Sequence, residues 1–170
     1  AKLYGTVRHH DKFPELPWQK LRTEHAKLHA KYAADFEFSV PRGVDFVSAD
    51  QNVHFSSVLA LHKASATIHV DDTLMYIILP LAARLLGKPD LLSFHPTLSR
   101  ALEQRAGAAA EFRGWAEELI ERWGKAENLC AAHTATLTAA DNRGDSIEKR
   151  LRKALSKVAG TLRSHQRKYG

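Results

Sequence analysis

Between Phe36 and Val70 the chain is a run of short apolar segments of β type, separated by turn residues, and this texture constrains the fold most. Phe36 to Val40 is followed by Pro41-Arg42-Gly43, then Val44 to Val47 is followed by the polar stretch Ser48 to Asn52. Val53 to Leu61 and Ala66 to Val70 follow, joined by His62-Lys63-Ala64-Ser65, a length that suits a hairpin. Segments this short cannot bury their apolar faces alone, so they predict antiparallel strands that need a covering layer.

Helical patterns around these strands supply that layer. After His95-Pro96, the stretch Thr97 to Trp123 predicts one long helix, in which Phe112, Trp115, Leu119 and Trp123 recur at spacings of 3, 4 and 4. Asp145-Ser146-Ile147-Glu148 has the spacing of a helix cap with a reciprocal Glu, and Ile147, Leu151, Leu155, Val158 and Leu162 form an amphipathic stripe over 145–166. Met75 to Leu86 predicts a strand end running into a short buried helix, stopped at Gly87-Lys88-Pro89. Leu3 to Val7 predicts a strand closed by Arg8-His9-His10-Asp11, and Trp18 to Ala34 a loop with a helical turn or two. Asn128 to His133 predicts a brief strand and Ala139 to Gly144 a loop. The expectation is one α/β domain over residues 1–170.

Charge and cysteine content narrow the function classes. The net charge is +6, from 25 Lys and Arg against 19 Asp and Glu. Nine of those cations and only two of the acids lie between Arg143 and Gly170, so the excess belongs to the terminal helix. Lys149, Arg150, Arg152, Lys153, Lys157 and Arg163 flank its apolar stripe, a pattern that serves a docked surface helix or a surface for phosphates or anionic membranes. Without aromatic residues interleaved for base stacking before Tyr169, the docked helix is the favoured reading and nucleic acid is not the expected partner. No apolar run reaches the eighteen or so residues of a membrane span. A single Cys130 excludes an internal disulfide and suits the cytoplasm; flanked by Leu129, Ala131 and Ala132, it is expected to be a buried, inert thiol. Glycine-rich phosphate loops and the Gly-x-Ser-x-Gly elbow are absent from the sequence.

The residues able to carry chemistry sit at predicted strand ends. Of the histidines, His54, His62, His69 and His133 lie at or near such ends, and each alone is more often structural than a ligand. Asp71-Asp72 is more informative, because two adjacent carboxylates after an apolar strand need pairing, hydrogen bonds, a metal or a capping role.

The succession Asn52-Val-His-Phe-Ser-Ser-Val-Leu-Ala-Leu-His, then Thr67-Ile-His-Val-Asp-Asp-Thr-Leu, then Leu129-Cys-Ala-Ala-His133, resembles the later half of the metallo-β-lactamase superfamily. By that resemblance the fold is a metallo-β-lactamase-like αββα sandwich, incomplete at its N-terminus. His54 matches the family's hairpin histidine, Asp71 or Asp72 its bridging aspartate, and His133 its last histidine. The resemblance implies a hydrolase with one or two zinc ions, iron and manganese being alternatives, or a metal-free descendant that acts as a binding protein. Its substrate would be a small molecule of unknown identity, and a homo-oligomer is left open. The family's H-x-H-x-D-H signature has no counterpart here, since His9-His10-Asp11 has a different spacing; it either precedes Ala1 in a longer parent chain or has been lost.

Overall fold

The computed structural model describes residues 2–50, 52–87, 90–142 and 145–170. Two short helices come first, α1 (Val7–Lys12) and α2 (Ala26–Lys31), then strands β1 (Phe36–Ser39), β2 (Leu59–His62), β3 (Thr67–Val70) and β4 (Leu74–Ile77). Helix α3 (Leu81–Leu85), β5 (Leu91–Phe94), α4 (Leu98–Ala101) and α5 (Ala108–Trp123) follow, and the chain ends with β6 (Asn128–Ala131), β7 (Thr136–Leu137) and α6 (Ile147–Tyr169). The fold is mixed α/β: a five-stranded sheet in the order β1-β2-β3-β6-β7, a two-stranded sheet β4-β5, and helices packed against them.

Strand register separates the two faces of the larger sheet. Glu37, Leu61, Ile68, Leu129 and Leu137 are cross-strand neighbours on the inner face, whereas Phe38, Ala60, His69, Cys130 and Thr136 line the outer one. The inner row is apolar except for Glu37, because it meets α5. Phe112, Trp115, Leu119 and Trp123 are buried there, as the 3-4-4 spacing predicts, and each large apolar side chain removed from water contributes about 1.5–3 kcal/mol. The stripe of α6 covers α5 and β5, with Ile147, Leu151 and Leu162 buried. On the outer face α2 lies on the β1 side, where the His29 ring stacks on Phe38 at 4.8 Å. The pairing that matters most for the site is β3 with β6, the parallel pair of this sheet.

Several local expectations give way to tertiary packing. Leu3 forms only an isolated bridge to Trp18, and Val7 opens a helix behind Thr6, whose backbone N–H donates to His9 Nδ1 at 3.1 Å. The predicted strand at Val44 shrinks to one bridge with Leu102, and residues 53–58 run irregularly before β2. The single helix expected from Thr97 divides into α4 and α5 because the backbone leaves helical geometry at Leu102 and passes Gly107 at φ +82°. Helix α3 is not buried: Leu81, Leu85 and Leu86 are 69%, 78% and 79% exposed. The expected stop after it lies partly outside the described residues, at Lys88 and Pro89, as does the end of the 139–144 loop.

Helix α6 is capped by Ser146, which accepts from the Lys149 N–H at 3.2 Å, rather than by Asp145. Its cations are partly committed to the fold. Arg150 is buried, and its guanidinium donates to the Asp145 and Asp90 carbonyls and to Asn142 Oδ1. Lys149 and Arg152 pair with Asp145 and Glu148. Among the described residues no helix is long and apolar enough to cross a membrane.

Candidate metal centre and its cleft

In β3 the alternation Ile68 in, His69 out, Val70 in holds the strand flat on its core, and the chain leaves the sheet at Asp71. Strand β6 runs alongside in the same direction, with Val70 opposite Ala131. Ala132 extends the ladder by one hydrogen bond to the Val70 carbonyl at 3.0 Å, after which the chain turns, with the Thr134 N–H on the Ala131 carbonyl. His133 occupies the tip of that turn. Two parallel neighbours thus deliver Asp71 and His133 to one edge, at the carboxyl ends of the two strands. His133 Nε2 lies 3.0 Å from Asp71 Oδ1.

Asp72 is turned toward the same place by the residue after it. Thr73 is fully buried; its hydroxyl donates to the Phe55 carbonyl at 2.7 Å and accepts from the Ser57 N–H at 3.3 Å. A buried hydroxyl must find such partners, so Thr73 fastens the irregular 53–58 segment to the end of β3. Thr97 donates to the His54 carbonyl at 2.9 Å from the other side. Between these two anchors His54 faces Asp72, with Nδ1 3.7 Å from Oδ2.

His54 is nevertheless engaged elsewhere. Arg8 Nη2 lies 2.8 Å from its Nε2, and because a guanidinium has only donors, that ring nitrogen accepts. The ring proton is therefore on Nδ1, toward Asp72. Of the four candidate ligands, Asp71, Asp72 and His133 each bring a donor atom within 4.8 Å of the other two, and His54 stands beside them as a link from Arg8 to Asp72. His62 and His69 do not join: His62 bonds Ser65 and packs on Phe36, and His69 is exposed on the outer face. Cys130 is half-buried on that face rather than in the core.

The group opens into a cleft of about 390 Å³. Asp71, Asp72, His54 and His133 form one wall, and Arg8, His9 and Lys12 of α1 line it as well. A smaller hollow of about 50 Å³ lies against the same three residues and is lined also by His95 and Thr134. Arg8, Thr73 and His95 are site residues that local patterns do not disclose. Arg8 reads as the polar end of a strand, and its partner is 46 residues away. His95 reads as a helix start. Thr73 follows directly on Asp71-Asp72 and reads as part of a turn or cap.

Two carboxylates and an imidazole are oxygen and nitrogen donors of the kind that hold Zn²⁺, Mn²⁺ or Fe²⁺. Bonds of about 2.0–2.2 Å put the ligands of one ion at most about 4.4 Å apart, so a spread of 4.8 Å closes with small side-chain rotations. His133 is free to make them, its side chain being 75% exposed, whereas Asp72 is held at 27%. A metal held by three protein ligands with a position open to a cleft is the arrangement of catalytic rather than structural zinc sites in general. No family model, curated protein or solved structure matches this chain.

Proposed function

We propose that the chain is a metal-dependent hydrolase of the metallo-β-lactamase-like type, with Asp71, Asp72 and His133 as its metal ligands. The observation that carries this reading is their convergence at the carboxyl ends of the parallel strands β3 and β6, on the wall of a cleft. The order of the elements also supports it, since a hairpin ending in Asp71-Asp72 is followed by helices and then by a strand ending before His133. An αββα sandwich would place further structure against the partly covered outer face of the five-stranded sheet.

The chain's own residues divide the work. Asp71 and His133, already in contact, form the exposed half of the ligand set, and Asp72 forms the fixed half. His54 stands beside Asp72, its Nδ1 3.7 Å from Oδ2, and is the residue placed to orient that carboxylate, as second partners do in metal sites. Arg8 fixes the His54 tautomer and brings positive charge to the cleft. A divalent ion bound there supplies Lewis acidity and a water acidified toward neutral pH.

Calorimetric titration with Zn²⁺ or Mn²⁺ tests the reading. Saturation at a hundred times Kd is expected to stabilise the protein by about 2.7 kcal/mol, a rise in Tm of about 5–10 °C for a chain of this size. Asp71→Asn, Asp72→Asn and His133→Ala should each weaken binding by at least about tenfold, since even outer partners of metal ligands cost that much. A chain that binds neither ion and melts at the same temperature with or without them is not a metallohydrolase. Turnover of nitrophenyl esters and phosphodiesters by the loaded protein completes the test.

A further inference from the structure

We infer that the cleft takes a phosphate-bearing substrate, with Arg8 and Lys12 of α1 as its anion-binding residues; this rests on the metal-site reading above and names the substrate class for it. The two cations are four residues apart on one helix, hence on one side of it, and both line the cleft shared with Asp71, Asp72 and His133. Among the described residues no carboxylate pairs with Lys12. Arg8 already presents its guanidinium to the site, with Nη2 on His54 Nε2 at 2.8 Å. Helix α1 is itself fixed, because His9 bonds back to Thr6 and the Val7 N–H donates to Glu24 Oε1 at 2.9 Å. The cations are therefore carried on a positioned element and not on a loose tail.

Charge arithmetic selects an anion. A divalent ion held by Asp71, Asp72 and His133 shifts the charge of the cleft by +2, so metal and anion bind with positive coupling, each raising the affinity of the other. Geometry favours phosphate over carboxylate. A tetrahedral phosphoryl group has terminal oxygens pointing to different walls and can meet a metal, a guanidinium fork and an ammonium at once, whereas a carboxylate has two oxygens in one plane. In the reaction implied, a water oxygen bonds to phosphorus while the phosphorus–oxygen bond to the alcohol breaks. The alcohol leaves with one of the water's protons, and water is the only co-reactant.

The test uses the full chain loaded with Zn²⁺ at low ionic strength, titrated with phenylphosphonate, which cannot be hydrolysed, and in parallel with benzoate. Wild type is expected to bind phenylphosphonate about tenfold or more tighter than benzoate, and tighter with Zn²⁺ than without. The Arg8→Gln, Lys12→Gln double variant should lose at least about tenfold, the scale of a lost charge-assisted contact. The charge-preserving Lys12→Arg variant, which leaves the Arg8 fork in place, should retain most of the affinity, which separates lost charge from misfolding. Equal phenylphosphonate affinity in wild type and the double Gln variant overturns the inference, as does equal affinity for benzoate. Zn²⁺ titrations of the same proteins keep the two readings apart. Binding of Zn²⁺ with no phenylphosphonate binding sinks the substrate class alone. Phenylphosphonate binding that depends on Arg8 and Lys12, without any Zn²⁺ binding, sinks the metal site and leaves the anion cleft standing.

Discussion

A side chain at position 43 has no room. Gly43 has φ +69°, and a Cβ built there sits on the Ala108 carbonyl oxygen and within 2.9 Å of the Phe112 nitrogen, so backbone blocks it on both counts. The close approach has a purpose. The Gly43 carbonyl accepts from the Glu103 N–H at 3.2 Å and the Asp45 N–H donates to the Ala101 carbonyl, which seats residues 43–45 against the end of α4 and the turn that follows it. Gly43→Ala is expected to cost about 2–4 kcal/mol, from positive φ and the clash together. In urea unfolding the midpoint should fall with little change in slope. A loss below about 1 kcal/mol would mean that this approach relaxes cheaply.

The individual elements show which patterns are local. Helix α6 was legible because its stripe repeats every three or four residues; its cap was one residue off, since Ser146 and not Asp145 satisfies the free N–H groups. Ser146→Ala removes the bond to the Lys149 N–H and should cost about 1 kcal/mol, a fall in Tm of about 2–4 °C. An unchanged melting temperature would show that water replaces the cap without loss. The division of α4 from α5 was only hinted at: Thr97 to Trp123 holds no proline, and Gly107 and Gly114 weaken the helix locally, but the sequence does not show that the chain breaks at Leu102 and passes Gly107. The exposure of α3 was hidden for a similar reason: an apolar sequence states what could be buried, and only the placement of its neighbours states what is.

At the scale of the whole molecule, a single carboxylate joins the sheet to its covering helix. Glu37, the polar residue on the inner row of β1, accepts from Trp123 Nε1 at 3.0 Å and Arg122 Nη2 at 3.1 Å. Burial pushes its pKa up, but the hydrogen bonds from Trp123 and Arg122 and the charge of Arg122 outweigh that, and the group lies below the ordinary carboxylate value. A carboxylate depressed in the folded state stabilises it above the unfolded pKa of about 4.3, and that contribution is lost as pH falls through the folded value. The stability gap between wild type and Glu37→Gln, measured by urea unfolding, should be full at pH 7 and shrink steadily below about pH 5. A gap that stays constant from pH 7 to pH 3 would falsify the role of this charge.

Local sequence patterns set the faces of elements: the Phe112 to Trp123 stripe, the hairpin into β3, and the two carboxylates that leave it at Asp71-Asp72. These follow from periodicity and turn chemistry, which act within a few residues. Tertiary structure alone decided that β6 lies parallel to β3, which is what brings His133 to Asp71, and that Arg8 reaches His54. Such meetings join residues dozens of positions apart. They are fixed by which apolar faces close over one core, a sum over the whole chain that no local pattern contains.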